Sequence, residues 1–138
     1  MILFFIFLWV LYACFEGIRE GFYFHNRAFS SKQDSTEIYP LFFVQRSLLL
    51  LAFFVPINLG YTLNIALLFT LGLVLIFPFF HNAMYFSTRN NLDRNIFVKR
   101  WRDSTSSQGG IETNLFLRTI FLFAGAAVLL YCFKQPLI

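Results

Sequence analysis

The chain has 138 residues, of which 58% are hydrophobic and 13% charged, against about 45–50% and about 25% in an ordinary soluble domain. Its 21 phenylalanines are too many for the one core that a soluble chain of this length can build. A water-soluble globular fold is therefore excluded, and the net charge of +4 matters through its placement along the chain.

The first apolar segment covers 1–18. It is short for the roughly 20 residues that cross about 30 Å of hydrocarbon, unless its helix continues past Glu16. No basic residue precedes it and it has no small-residue cleavage box, so it reads as a retained first helix. Trp9, Tyr12, Glu16, Glu20 and Tyr23 recur at steps of three and four, which places them on one helical stripe. A long polar connection follows over 19–40, with Arg19, Arg27 and Lys32.

The second segment, 41–58, starts after Pro40, which suits a first helical turn. It carries Arg46 just inside its start. An arginine at mid-membrane costs about 2.5–3.5 kcal/mol on insertion scales, and less near the edge. Snorkelling or a carboxylate partner would offset that cost. The stretch "NLGYTLN" over 58–64 is short, uncharged and turn-rich. Segment three, 63–80, is therefore expected to form a tight hairpin with segment two. Pro56 and Pro78 fall near the ends of these two helices, where they can kink them.

The next connection, 81–113, begins with His81, Tyr85, Thr88 and Leu92, which share one face if the helix continues. Arg89 and Asp93 make an i,i+4 pair. Lys99, Arg100, Trp101 and Arg102 read as an anchor for anionic lipid headgroups, at about 1 kcal/mol per basic residue; tethering to the membrane favours lipid over nucleic acid. "STSSQGG" over 104–110 reads as a flexible linker. Segment four, 114–133, carries Arg118 and a patch of small residues, Ala124, Gly125, Ala126 and Ala127, suited to close helix packing. Cys14 and Cys132 lie in apolar segments, so neither a disulfide nor a metal ligand is expected.

The sum is a single membrane domain over 1–138, with four transmembrane helices in a small bundle, since only helices satisfy every backbone group within so short a chain. Of the eleven basic residues, all but Lys134 fall in or beside the two long connections. The positive-inside rule then puts both connections in the cytoplasm and both termini outside. Glu16, Glu20, His25, Arg46, His81, Tyr85 and Arg118 gather at that edge as the candidate polar cluster. At least one of Arg46 and Arg118 is expected to pair with Glu16 or Glu20 between helices.

Nothing points to a cofactor. The glutamates and histidines lack any His-Glu-x-x-His or Glu-x-x-His spacing, and there is no phosphate loop, Cys-x-x-Cys or nucleophile elbow. The reading is a non-enzymatic membrane protein: an oligomeric pore or small-solute pathway, or an assembly subunit that binds itself or another membrane protein. The alternative is a membrane enzyme that uses the Glu/His/Arg cluster on a metal or a lipid phosphate.

Overall fold

The computed structural model describes residues 2–29, 39–92, 106–108 and 111–135, with side chains described for 2–24, 47–92 and 114–135. Four helices form: α1 (Ile2–Phe29), α2 (Tyr39–Asn58), α3 (Leu63–Leu92) and α4 (Leu115–Phe133). Three of them, α1, α3 and α4, contain stretches long and apolar enough to cross a membrane. In α2 the described apolar portion is shorter, Ser47–Asn58. Strand β1 (Ser106–Gln108) pairs antiparallel with β2 (Ile111–Thr113), with Ser107 opposite Glu112.

Helix and apolar stretch do not coincide. α1 runs on from residue 18 to Phe29, and α3 from residue 80 to Leu92. At 1.5 Å per residue these helices are about 42 Å and about 45 Å long, against about 28 Å for α4. The extensions hold because each packs on the other, Gly21 against Tyr85 and Thr88 and Phe24 against Tyr85.

α1 and α3 run parallel and in register. The separation of 64 residues that joins the Trp9 indole to the Leu73 carbonyl also joins the Phe5 and Phe69 rings, Gly17 and His81, and Gly21 and Tyr85. A constant offset is what two helices advancing together produce. Ala13, Gly17 and Gly21 are all buried and four residues apart, so they form a smooth strip along α1. A Cβ on Gly17 would overlap the His81 carbonyl oxygen, and one on Gly21 would press on the Thr88 side chain and the Tyr85 carbonyl. Small residues thus let the two backbones approach, as they do between helices in lipid.

α4 crosses α3 in the opposite sense. Cys132 Sγ lies 3.8 Å from the Ile65 carbonyl oxygen, Gly125 faces Gly72, and Arg118 faces Phe86. Residue numbers on α4 fall as those on α3 rise, so the pair is antiparallel. α2 packs mainly along α3 as well and touches α1 only slightly. α3 is therefore the hub, with a neighbour on each of three flanks.

The core sits along this hub. Trp9, Ala13, Ala52, Phe69, Leu73, Ile76, Phe77 and Leu129 belong to one buried cluster. The outward faces are apolar too: Phe4, Phe7 and Phe15 on α1, and Phe116, Phe123 and Leu130 on α4, are all exposed. In water this would be a large liability, whereas lipid solvates such a surface. Two helix hydroxyls are satisfied locally. Thr70 donates to the Ala66 carbonyl and Thr119 to the Leu115 carbonyl, each at 2.9 Å, so neither is left unpaired in an apolar medium.

The helix ends show why the chain turns where it does. The amide of Tyr61 donates to the Pro56 carbonyl and that of Gly60 to the Ile57 carbonyl, which caps the last carbonyls of α2. Gly60 has φ of 88°, a left-handed conformation that glycine adopts without a Cβ penalty. Asn114 caps α4, its side chain accepting from the Leu117 amide at 2.9 Å.

Candidate functional site

The polar side chains gather where the extensions of α1 and α3 lie side by side. The stripe Trp9–Tyr12–Glu16–Glu20–Tyr23 faces α3 over much of its length. Trp9 is buried and its Nε1 donates to the Leu73 carbonyl at 2.9 Å. A carbonyl oxygen has two lone pairs, so Leu73 can accept the indole besides its own helical bond. The Trp9 and Tyr12 rings both rest against Phe77, with centroids 5.7 and 6.2 Å away.

Four residues beyond Phe77, one turn on, His81 carries the same line into polar territory. Its ring stacks on Phe77 at 5.2 Å and 20°. Its Nε2 sits 2.9 Å from Glu20 Oε2. The imidazole is buried, while about a third of the Glu20 side chain reaches solvent or headgroups. The other ring nitrogen, Nδ1, is buried and has no hydrogen-bond partner among the described residues. Glu16 pairs along its own helix with Arg19, at 3.3 Å and i,i+3 spacing. That pair is partly exposed, and pairs of this kind contribute about 0–1 kcal/mol. Tyr85 packs edge-on against Phe24, at 6.1 Å.

The expected pairing rests on Arg46 as well as Arg118, and the Arg46 side chain lies outside the described residues. Glu20 meets His81, Glu16 meets Arg19, and Arg118 goes to a different flank of the hub. The reason is the architecture: α1 and α4 pack on separate sides of α3, so a carboxylate on α1 does not reach the start of α4. Arg118 is fully buried, with its guanidinium 5.7 Å from the centre of the Phe86 ring, within reach of a cation–π contact. The side chains of His25 and Arg46, and the whole of Lys99, Arg100, Trp101 and Arg102, lie outside the described residues.

Two features were missed in the sequence. The Ala13–Gly17–Gly21 strip was legible, as small residues at a four-residue repeat. Asn82 was not: it stands beside His81 in an ordinary-looking run, yet it is only 2% exposed, and its Nδ2 has no hydrogen-bond partner among the described residues. No local sequence signal distinguishes a buried asparagine from an interfacial one.

No family model, curated protein or solved structure matches the chain. Among the described residues no three of His, Cys, Asp and Glu converge as metal ligands, and the Glu20–His81 pair supplies two donors. A small apolar cavity, lined by Ile2, Pro56, Ile65, Phe69 and Leu129 among others, lies at the opposite end of the α1–α3 pair from Glu20 and His81. The polar groups are thus packed between helices. They hold α1 to α3 at a fixed rotation and register, because an unmatched polar group between helices in lipid is costly.

Proposed function

We propose that this protein is a non-enzymatic membrane subunit: a small helical scaffold whose polar cluster fixes helix geometry, and whose apolar outer faces meet lipid, further copies or another membrane protein. One observation carries the reading. The Glu20–His81 pair lies at a helix interface that Gly17 and Gly21 bring to backbone contact, and a closed interface of this kind is suited to fixing architecture rather than to passing a solute. A pathway, if the protein forms one, would have to lie between copies.

The same geometry supports four crossings, with α2 and α3 as a hairpin. α1 and α3 are parallel, and a chain that crosses twice in one direction has to return in between; α2 is the helix available for that return. The distribution of basic residues supports a cytoplasmic location for both long connections.

One purification in a mild detergent tests the function, with oligomer size, bound metal and co-purifying proteins measured together and flux assayed in liposomes. The expected result is a defined assembly, with itself or a partner, and no flux from the isolated chain. Solute flux by the monomer, or turnover of lipid, would overturn the reading. For the topology, a cysteine in place of Ser106 should resist an impermeant thiol reagent in intact cells and react after lysis.

A further inference from the structure

The outward stripe of α1 runs past the end of the apolar segment. Phe4, Leu8, Leu11, Phe15, Arg19 and Phe22 follow one another at steps of three and four, which keeps them on one side of the helix. The four apolar residues before Arg19 are exposed, and Phe22 after it is 48% exposed. The lipid-facing stripe therefore does not stop at Arg19 but resumes beyond it. Two more large apolar side chains stand open near the same height, Phe24 on α1 and Met84 on α3. The offset of 64 residues between the parallel helices sets Met84 level with Glu20.

Height decides what these groups meet. A helix advances 1.5 Å per residue, so Met84, Phe22 and Phe24 lie about 3, about 6 and about 9 Å beyond Ile18, where the apolar segment ends. The headgroup layer on each side of a hydrocarbon core of about 30 Å is about 5–7 Å deep. Met84 and Phe22 thus fall within that layer, and Phe24 at its outer edge. Phenylalanine and leucine side chains of interfacial helices bury themselves at this boundary. Placement around the helix pair agrees. Phe22 and Phe24 are about 160° apart around α1, and Met84 is on the neighbouring helix. A protein partner would cover one side of the pair, whereas a lipid layer surrounds it. Arg19 pairs with Glu16 along α1, so local charge is balanced and anionic lipid is not required. We infer that Phe22, Phe24 and Met84 form an interfacial anchor, which holds the extensions of α1 and α3 in the headgroup layer of a zwitterionic phospholipid membrane. The inference rests on α1 and α3 crossing that membrane and adds a second band of contact beyond the hydrocarbon.

The test places a nitroxide on single cysteines at Leu11, Phe22, Met84 and Asn91 in turn. It uses the full chain, with Cys14 and Cys132 replaced by alanine, reconstituted in phosphatidylcholine vesicles. Collisions are measured with oxygen, which concentrates in hydrocarbon, and with a water-soluble nickel chelate. Leu11 lies within the apolar segment and reports the lipid contact of the span itself. Asn91 is exposed, and by the same offset it stands about 13–14 Å beyond Ile18, clear of the headgroups.

The oxygen-to-nickel ratio should be highest at Leu11, and severalfold higher at Phe22 and Met84 than at Asn91. A ratio at Phe22 equal to that at Asn91 puts the extension in water and overturns the anchor alone. Low collision with both reagents at Phe22 means that protein covers it, which overturns the anchor equally. A low ratio at Leu11 overturns the transmembrane placement of α1 and the anchor with it. Since the label replaces the side chain in question, Phe22→Trp supplies a second measurement that keeps an aromatic ring in place. Its added fluorescence should be quenched more by lipid nitroxides near the headgroup than by aqueous iodide, and the reverse order overturns the anchor.

Discussion

Gly17→Ala is the sharpest test of the α1–α3 interface. Two effects oppose each other. Alanine is a better helix former than glycine by about 0.8–1 kcal/mol, so on an unpartnered helix the change would stabilise. Here the new methyl would overlap the backbone carbonyl of His81. No rotamer change can relieve a clash with backbone, so the two helices must separate or shift. Overpacking typically costs about 1–3 kcal/mol, and a rigid obstacle puts this site in the upper part of that range. Separation also loosens the Trp9–Leu73 hydrogen bond and the Glu20–His81 pair on either side of Gly17. The net loss should be about 2 kcal/mol after the helical gain is subtracted. Reversible unfolding in mixed micelles, titrated with a denaturing detergent and followed by circular dichroism, measures it. Gly21→Ala provides the internal comparison. Its obstacle is largely the Thr88 side chain, so Thr88→Ala should relieve part of that loss and none of the loss at Gly17. A Gly17→Ala protein as stable as the parent would refute the close parallel packing from which the rest of the geometry is built.

Two further outcomes are expected. Trp9→Phe keeps an aromatic ring against Phe77 but removes the donor to Leu73, and should cost about 1 kcal/mol in the same unfolding assay; no change would mean that the bond contributes nothing to assembly. A double-mutant cycle with Glu20→Gln and His81→Leu should show coupling of about 0.5–1 kcal/mol, held to that size by the partial exposure of Glu20, and strict additivity would argue against the pair.

The fold was legible in outline because lipid leaves a plain mark. The long apolar runs and the excess of phenylalanine point to membrane helices with little ambiguity, and the stripe from Trp9 to Tyr23 does turn toward α3. What could not be read is which helix answers which. At least one of Arg46 and Arg118 was expected to meet Glu16 or Glu20, and among the described residues Glu20 meets a histidine 61 positions away. That choice follows from α1 and α3 running parallel, and nothing local in either segment encodes a neighbour relation. The length of the helices was similarly hidden. Polar residues after an apolar run normally suggest that a helix is ending, yet here the two polar continuations pack on each other and persist. Arg118 is buried over the Phe86 ring, a position not legible in the sequence: depth in the membrane can be judged from sequence, but rotation around the hub cannot.

The central position of α3 has a consequence for biogenesis. α1 and α2 leave the ribosome first, yet they touch each other only slightly, and the surface that each is shaped to meet is still unsynthesised. Until Leu92 has emerged, the glycine strip of α1 and the Glu20 carboxylate have no counterpart, and both must wait in the bilayer or in the care of the insertion machinery. Assembly of this chain is therefore an event gated by its third helix. A nascent chain stalled before α3 would expose a half-polar α1 in lipid, the kind of surface by which membrane quality control recognises an orphan.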